Sequence, residues 1–465
     1  MTSLSRGLSP RSVAIIGASA DPTRLSGRPL RILCAAGFDG AVFAVNPRHK
    51  EIAGQQAYPD VVSVPGPVDT ALILVPKAHV MSVLRQCADA DVGTAVVFTS
   101  GFAEEGAEGS ELEAKIRQIA VSSSMRVLGP NAEGFLNAHA RVAATFSPAV
   151  ERSLQDDQFT GADNLAVLSQ SGGLGFAVYD RGCAAGLGFG YVVSTGNEAD
   201  VDVTELVDEL LSEGSAGVFL LVVEGFKSPE RFLAVAERAR AAGKPIVVAK
   251  LGTSEAGARA ALAHTAHLVG SPPAERAAFR ACGVVQAEDE DELVDLGMLF
   301  ARSAPSAGSR VGIITTSGGA GVWLADSCAV YGLTVPELGA GIQRDLRKLM
   351  PSFGSPRNPV DVTADAIHGD GVAAALARLL ASDEIDAVAL IMSLASPTAL
   401  ERQRPLLDDV LAGSSKPVLV YGYTRPAPPN VRHLVDLRLP WFPTANRTAR
   451  ALARLQRWES ARGLL

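Results

Sequence analysis

The segment LAVLSQSGGLGF at residues 165–176 has a second copy in the chain, VGIITTSGGAGV at residues 311–322. In each copy an apolar run leads into Ser-Gly-Gly-x-Gly, where a helix is expected to start. A short buried strand, a glycine turn and a helix make up the βα unit of a parallel sheet. The repeat therefore predicts two α/β domains of one kind in the same chain.

Short apolar runs continue this rhythm along the rest of the chain. They are rich in β-branched residues and bounded by Gly, Pro or Asn, as strands that alternate with helices usually are. We expect strands at residues 12–17, 41–46, 70–75, 94–99, 126–129, 165–169, 190–194, 217–223, 245–250, 311–316, 333–338, 387–392 and 417–423. A helix is expected at residues 448–465, and polar stretches interrupt the pattern at residues 151–164 and 301–310. The pattern predicts three α/β domains, at residues 1–150, 151–305 and 306–465.

The composition points to the same class of protein. A chain of 465 residues is too long for one hydrophobic core and corresponds to about three domains. Hydrophobic residues make up 47% and aromatic residues only 5%, which suits aliphatic parallel strands buried between helices. The net charge of −8 argues against a general nucleic-acid-binding surface.

The sequence also carries signals about location. It contains no uninterrupted apolar stretch approaching ~18 residues, and its first residues, MTSLSRGLSP, lack the apolar core of a signal peptide. The 5 cysteines are scattered and form no CxxC pair. We therefore expect a cytoplasmic protein with free thiols and no contact with membranes.

The first glycine turn, IIGASADPTRLSG at residues 15–27, departs from a dinucleotide-binding turn. Such a turn reads GxGxxG and is followed by an acidic residue at the end of the second strand, which binds the ribose. Here Gly17 is followed by Ala18 and Ser19, and the second strand ends at Asn46-Pro47. The turn is either a tight structural connection or the site of a nucleotide-containing ligand other than NAD.

The two repeated turns predict an anion site. Backbone N–H groups and the helix dipole converge at the start of a helix, and glycines let the backbone approach an anion closely. Because there are two such turns, we expect both to bind one phosphoryl group. The residues concerned are Ser171, Gly172, Gly173, Ser317, Gly318 and Gly319.

Two histidines in the segment AKLGTSEAGARAALAHTAHLVGS are candidates to carry that phosphoryl group. His264 and His267 lie three positions apart in a segment rich in Gly and Ala. They are either solvated loop residues, a metal-binding pair without a nearby third ligand, or the site of a phosphohistidine, since neutral imidazole is nucleophilic near neutral pH. A carboxylate would fix the tautomer, and Glu224 at the end of an apolar run is the candidate.

Taken together, these segments resemble the α subunit of the NDP-forming (ADP-forming) acyl-CoA synthetases, which are themselves similar to succinyl-CoA synthetase. The motifs span almost the whole chain in one order: IIGAS, VNPR, VDTALILVP, TSGFAEEG, LGPNAEGF, LSQSGGLG, STGNEADVD, AHTAHLVG, TTSGGAGV and NPVDVT. The resemblance implies a Rossmann-like CoA-binding domain followed by two flavodoxin-like, succinyl-CoA synthetase-like domains. It implies CoA contacts at Gly17, Ala18, Ser19, Asn46, Pro47, Arg48, Val75, Pro76, Thr99, Ser100, Gly101 and Asn131.

The same resemblance implies that His264 carries the phosphoryl group and that Glu224 stabilises it, with the two repeated turns on either side. The chain departs from the family pattern at several positions. Ala132 replaces a cysteine in GPNCxG, while Ala263, Ala266 and His267 replace Ser, Gly and Ser around the histidine.

The implied reaction is carboxylic acid + CoA + ATP to acyl-CoA + ADP + phosphate. We see no Walker A pattern and no room for an ATP-grasp module after NPVDVT, so ATP and Mg are expected on a separate ATP-grasp β subunit. That partner implies a hetero-oligomer, although a homodimer is also open, and no resident metal is expected. Two rival interpretations are a CoA-binding or acyl-CoA-sensing protein without turnover and an NAD-dependent oxidoreductase. The identity of the acid and the choice of ATP or GTP are open.

Overall fold

The protein was analysed as a computed structural model that describes residues 3–264, 272–306, 308–364, 366 and 369–463. Most of the predicted strands form, each within one or two residues of its predicted ends. The strands are β1 Ser12–Ile16, β2 Ala41–Val45, β3 Glu51–Ile52, β4 Gln55–Tyr58, β5 Thr70–Ile73, β6 Thr94–Val97, β7 Arg126–Leu128, β8 Gly134–Asn137, β9 Val142–Thr145, β10 Leu165–Ser169, β11 Phe189–Ser194, β12 Val218–Val223, β13 Ile246–Lys250, β14 Val285–Ala287, β15 Val311–Thr315, β16 Val360–Asp361, β17 Ala387–Met392, β18 Val418–Gly422 and β19 Trp441–Phe442.

Helices alternate with these strands, as the βα pattern predicts. They are α1 Ser3–Leu8, α2 Arg28–Ala35, α3 Lys77–Asp89, α4 Ala107–Ser122, α5 Pro148–Gln155, α6 Gly172–Ala184, α7 Val203–Glu213, α8 Pro229–Ala241, α9 Glu255–His264, α10 Pro272–Ala281, α11 Glu290–Arg302, α12 Gly318–Val330, α13 Ala340–Arg347, α14 Gly371–Leu380, α15 Gln403–Ala412, α16 Pro428–Asp436 and α17 Ala445–Ala461. Helix α17 confirms the predicted C-terminal helix.

The first sheet has the order β3-β4-β2-β1-β5-β6-β7 within the described residues. Its strands are parallel except for the short β3–β4 hairpin at one edge. Residues of β1, β5 and β6 are buried throughout, because helices cover both faces of the sheet. In such a sheet the loops that follow the strands all emerge at one edge, where ligands bind.

The second sheet has the order β14-β13-β12-β10-β11-β8-β9 in the described part of the chain. The strands β10 to β14 are parallel, and the hairpin β8–β9 is added antiparallel to β11. This hairpin comes before the polar segment at residues 151–164 but belongs to the second sheet. The chain therefore passes directly from β7, the last strand of the first sheet, into the second sheet.

In the described residues of the second half of the chain, the third sheet is parallel and has the order β16-β15-β17-β18-β19. The predicted strand at residues 333–338 is wrong. Only Thr334 makes an isolated bridge, to Arg310. Leu333 and Leu338 are buried, which explains the apolar pattern, but Pro336 has no N–H to donate to a strand partner.

The chain divides into two compact units, Met1–Leu293 and Val294–Leu465. The first contains the first and second sheets, which share a continuous apolar core running from Leu4 to Val284. The second contains the third sheet and its own core. No helix among the described residues is long and apolar enough to cross a membrane, and all five cysteines are free thiols, as predicted.

Candidate functional site

The residues predicted to contact CoA all follow strands of the first sheet. They come after β1, β2, β5, β6 and β7, so the parallel arrangement brings them to one edge. At β1, Gly17 has a φ of 90°, and a Cβ there would lie 2.6 Å from the Leu74 carbonyl oxygen. Only glycine fits this close approach of two strand ends.

Hydrogen bonds connect these strand-end loops to each other. The Asn46 side-chain amide donates to the Ala18 carbonyl at 2.8 Å, and the Arg48 N–H donates to the Asn46 side-chain oxygen at 2.9 Å. The Thr99 hydroxyl donates to the Val75 carbonyl at 2.7 Å. The edge is therefore an ordered surface rather than a set of independent loops.

Asn131 continues this edge toward the second sheet. It has a φ of 61°, a left-handed conformation that Asn adopts more easily than most residues. Its N–H donates to the Thr99 carbonyl at 3.0 Å, and its side-chain amide lies 3.3 Å from the side-chain oxygen of Asn197.

A cavity of about 810 Å³ opens between this edge and the start of α6. Eight of the predicted site residues line it: Val75, Pro76, Thr99, Ser100, Asn131, Ser171, Gly172 and Gly173. The structure thus brings residues predicted to bind CoA together with residues predicted to bind phosphate. The predicted CoA residues outside its lining are Gly17, Ala18, Ser19, Asn46, Pro47, Arg48 and Gly101.

The turn before α6 is held by its own hydroxyl groups. The Ser169 hydroxyl donates to the Ser171 carbonyl at 2.5 Å and accepts from the Ser171 N–H at 3.1 Å. Ser171 is the N-cap residue, and α6 begins at Gly172. The first N–H groups of a helix have no carbonyl partner within that helix, so the start of α6 can donate to an anion from the cavity side.

Sequence reasoning missed Glu133, which also lines the cavity. A Cβ on Gly172 would lie 2.8 Å from the Glu133 Cβ and 3.1 Å from its Oε2. Burial raises the pKa of the Glu133 carboxyl, and a hydrogen bond from Ser147 opposes that shift. The motif LGPNAEGF contained this residue, but its position beside α6 depends on the β8–β9 hairpin.

Sequence reasoning also missed the aromatic part of the cavity wall. The rings of Phe98 and Phe146 both line the cavity, and their centroids lie 5.5 Å apart. Phe98 follows β6 and Phe146 follows β9. No short motif contains both residues, so only the fold shows that they form one apolar surface.

Gln170 connects the cavity to Glu224. It lines the cavity, and its side-chain oxygen accepts from the N–H groups of Glu224 at 2.6 Å and Gly225 at 3.2 Å. Glu224 is buried at the end of β12. The Lys250 ammonium donates to the Glu224 carbonyl at 2.6 Å, and burial lowers the pKa of Lys250 while the charges of Glu275 and Glu224 raise it.

The predicted histidines are placed only in part. His264 is the last residue of α9, and that helix follows β13, the strand beside β12. The surroundings of the His264 side chain and the whole of His267 lie outside the described residues. The predicted contact between Glu224 and His264 stays a prediction.

The second repeated turn lies in the second unit and has the same local structure. The Thr315 hydroxyl donates to the Ser317 carbonyl at 2.7 Å and accepts from the Ser317 N–H at 2.9 Å. Helix α12 begins at Gly318, and a Cβ there would lie 3.0 Å from the Asp361 Oδ2. Among the residues that the structure describes, no cluster of three His, Cys, Asp or Glu suits a metal ion.

Three family models match successive parts of the chain. Residues 11–138 match the CoA binding domain, residues 162–300 the succinyl-CoA ligase like flavodoxin domain, and residues 311–392 the Ligase-CoA domain. The α/β fold predicted from the sequence, with one CoA-binding domain and two domains of the succinyl-CoA synthetase kind, is confirmed.

Similar proteins agree with these matches. The chain is 35% identical over 414 residues to the alpha subunit of acetate–CoA ligase [ADP-forming] II from Pyrococcus furiosus, covering 88% of each chain. It is 35% identical to acetate–CoA ligase [ADP-forming] I from Archaeoglobus fulgidus, of which it spans 54%. The solved structure of dinucleotide forming acetyl-coenzyme A synthetase 1 from Ca. Korarchaeum cryptofilum, in complex with phosphate and ADP, matches with 33% identity and a TM-score of 0.86, covering 99% of this chain and 98% of that one.

These likenesses extend over nearly the whole chain. The predicted enzyme class, a ligase, is confirmed with them. The chain belongs to the family of the ADP-forming acyl-CoA synthetases, as a CoA-binding α subunit.

Proposed function

We propose that this subunit transfers an acyl group to CoA through an acyl phosphate and a phosphohistidine at His264. A carboxylic acid, CoA and ATP would give acyl-CoA, ADP and phosphate, in a reversible reaction. The cavity is the main support for the proposal. Its wall contains five of the residues predicted to contact CoA and also the Ser171-Gly172-Gly173 turn. Acyl transfer requires the CoA thiol and the acyl phosphate to meet in one place.

CoA would bind along the carboxyl edge of the first sheet. The close backbone approach at Gly17 and the Asn46–Ala18 hydrogen bond hold the loops after β1, β2 and β5 together, and CoA would lie against these loops. No acidic side chain ends β2, where Asn46 stands in the place of the ribose-binding carboxylate of an NAD site. These features support CoA over NAD, and the twelve CoA contacts stay a prediction.

The phosphoryl group would be bound at the start of α6. Glu224 lies behind this turn and is connected to it through Gln170. We propose that the Glu224 carboxylate orients His264 and stabilises the imidazolium charge. We also propose the Ser317-Gly318-Gly319 turn as a second phosphate-binding turn of the same reaction.

The nucleotide would be bound by a separate subunit. The relative from P. furiosus is named an alpha subunit, which implies a partner chain. We propose that this partner is an ATP-grasp β subunit that holds ATP and Mg, that the two form a hetero-oligomer, and that the assembly works in the cytoplasm. The acid is a small carboxylic acid that fits beside Phe98 and Phe146 in the cavity.

The test combines the purified chain with a candidate ATP-grasp partner, CoA, ATP and a panel of aliphatic, aromatic and dicarboxylic acids. We expect thioester formation that requires both subunits. Calorimetry with the complete chain should show binding of CoA and none of NADH. CoA binding without thioester formation by any active partner would favour a CoA-binding protein without turnover.

A further inference from the structure

Glu133 lines the cavity between the strand-end loops of the first sheet and the start of α6. The residue follows Asn131 and Ala132 at the end of the first sheet's chain, and its side chain packs against Gly172 at the start of α6. Its backbone is fixed on both sides: its N–H donates to the Ser194 hydroxyl at 3.0 Å, and its carbonyl accepts from the Thr145 hydroxyl at 2.6 Å. The carboxyl is therefore held beside the turn proposed to bind the phosphoryl group.

Glu133 is also the cavity's proton-exchanging side chain. Among the described lining residues, Arg24 and Glu133 carry charges and the others are neutral. A guanidinium does not titrate in the physiological range. Burial raises the pKa of the Glu133 carboxyl above its ordinary value, and a carboxylate with a raised pKa is a better proton acceptor.

We propose that Glu133 accepts the proton of the CoA thiol during acyl transfer and returns it to the leaving phosphate. The sulfur–carbon bond forms, the carbon–oxygen bond of the acyl phosphate breaks, and the proton moves from sulfur to a Glu133 oxygen and then to a phosphate oxygen. No net charge or electron is gained or lost by the protein. The step rests on the proposed function, which supplies both reactants.

The position of Glu133 beside Gly172 accounts for both steps, the uptake of the thiol proton and its donation to the phosphate. A carboxylate next to a bound anion is repelled by it, and this repulsion favours taking up a proton. Once protonated, the same carboxyl donates a hydrogen bond to the phosphate oxygen on which charge develops. Ser147 supports the ionised form through its hydrogen bond, so neither protonation state is locked.

The experiment measures acyl transfer from acetyl phosphate to CoA by the assembled enzyme. We expect Glu133→Gln to lower kcat by roughly 100-fold, the lower end of what general acid–base catalysis contributes, with the Kd for CoA unchanged. The acidic limb of the pH profile should disappear in this variant. Glu108→Gln, which changes an exposed carboxyl at the start of α4, should behave as wild type.

A CoA analogue with selenium in place of the thiol sulfur separates proton transfer from structure. A selenol is more acidic than a thiol and needs no base, so it should restore most of the lost rate in Glu133→Gln. Glu133→Asp, which keeps a carboxyl one methylene shorter, should retain more activity than Glu133→Gln. Equal losses in both variants, or no rescue by the selenol, would overturn the assignment.

These outcomes separate the two proposals. A wild-type enzyme that makes no thioester with any partner and acid would contradict the proposed function itself. A fully active wild type with an equally active Glu133→Gln would leave the proposed function intact and refute only the role of Glu133.

Discussion

The turns at residues 171–175 and 317–321 share the same internal hydrogen bonds and differ in their surroundings. In each, a hydroxyl two positions before the serine donates to the serine carbonyl and accepts from its N–H. In each, a carboxylate lies against the first helical glycine: Glu133 at Gly172 and Asp361 at Gly318.

The surroundings then diverge. The first turn faces a cavity whose wall contains Phe98, Phe146 and strand-end loops of the first sheet, and α6 buries Phe176 and Val178 behind it. Helix α12 instead leaves Val322 and Trp323 exposed, at 61% and 69%. The comparison teaches that the repeated sequence gives the same turn geometry twice, whereas the neighbouring residues decide what surrounds each turn.

The largest effect is expected for the phosphoryl group proposed on His264. His264→Ala should abolish acid-labile, base-stable labelling from γ-labelled ATP in the presence of the partner, because it removes the nucleophile. His267→Ala should keep the label. Full labelling in His264→Ala, with loss of label in His267→Ala, would move the phosphoryl group to His267.

The first turn should be intolerant of a methyl group at Gly172. In Gly172→Ala the new methyl group collides with Glu133, and a shift of ~1 Å in a catalytic group costs about 100-fold in rate. A Cβ on Gly341, an exposed glycine of α13 outside the proposed site, would have no atom within 4 Å, so Gly341→Ala is the matched control. Acyl-CoA synthesis by the two variants, with thermal unfolding to verify folding, decides the point; equal activities would refute the packing argument.

Glu224 provides a test of the connection behind the first turn. A charge-assisted hydrogen bond is worth about 1.5–3 kcal/mol, so Glu224→Gln should slow phosphorylation by roughly tenfold or more. The measurement is the single-turnover labelling rate with the partner subunit. An unchanged rate would show that the Glu224 carboxylate takes no part in phosphorylation.

The buried carboxyl of Glu198, which lies close to the first turn, should make the stability of the protein depend on pH. The Thr195 hydroxyl donates to the Glu198 carboxyl at 2.9 Å, and its oxygen lies 3.2 Å from the Ser169 carbonyl oxygen. Burial raises the pKa of Glu198 from 4.5 to about 7, with Lys227 lowering it and Asp202 raising it. The folded protein therefore binds an extra proton between these values, and stability falls as pH rises through this window.

We expect urea unfolding to give a free energy on the order of 2–3 kcal/mol lower at pH 8 than at pH 4.5 from this group. Glu198→Gln, which stays neutral, should remove that part of the slope, whereas the exposed Glu108→Gln should not. A slope that persists unchanged in Glu198→Gln would exclude the buried carboxyl as its source.

The smallest effect is expected at the second turn. A Cβ on Gly318 would meet only one carboxylate oxygen, at 3.0 Å, so Gly318→Ala should cost within about 1 kcal/mol of stability, at the low end for overpacking. Gly319→Ala, which has nothing within 4 Å, is the matched control. A loss as large as that of Gly172→Ala would show that the two turns are equally constrained.

The sequence allowed the βα units and both glycine turns to be predicted because these features are local. An apolar run ending in glycine predicts where a buried strand stops, and parallel strands necessarily place their carboxyl ends at one edge. The grouping of the residues after β1, β2, β5, β6 and β7 as predicted CoA contacts came from the resemblance of these segments to a known family, and the parallel strands place those residues at one edge of the sheet. The strand predicted at residues 333–338 failed because local apolarity does not reveal whether a hydrogen-bonding neighbour exists.

Only the tertiary structure decided which residues meet across those units. The β8–β9 hairpin adds to the second sheet, and this pairing carries Glu133 to Gly172 and Phe146 to Phe98. The amide of Gln170 reaches the turn after β12 for the same reason, since β10 and β12 are neighbours in the sheet. Such contacts depend on strand order, and strand order is set by the packing of the whole core rather than by any segment that could be inspected alone.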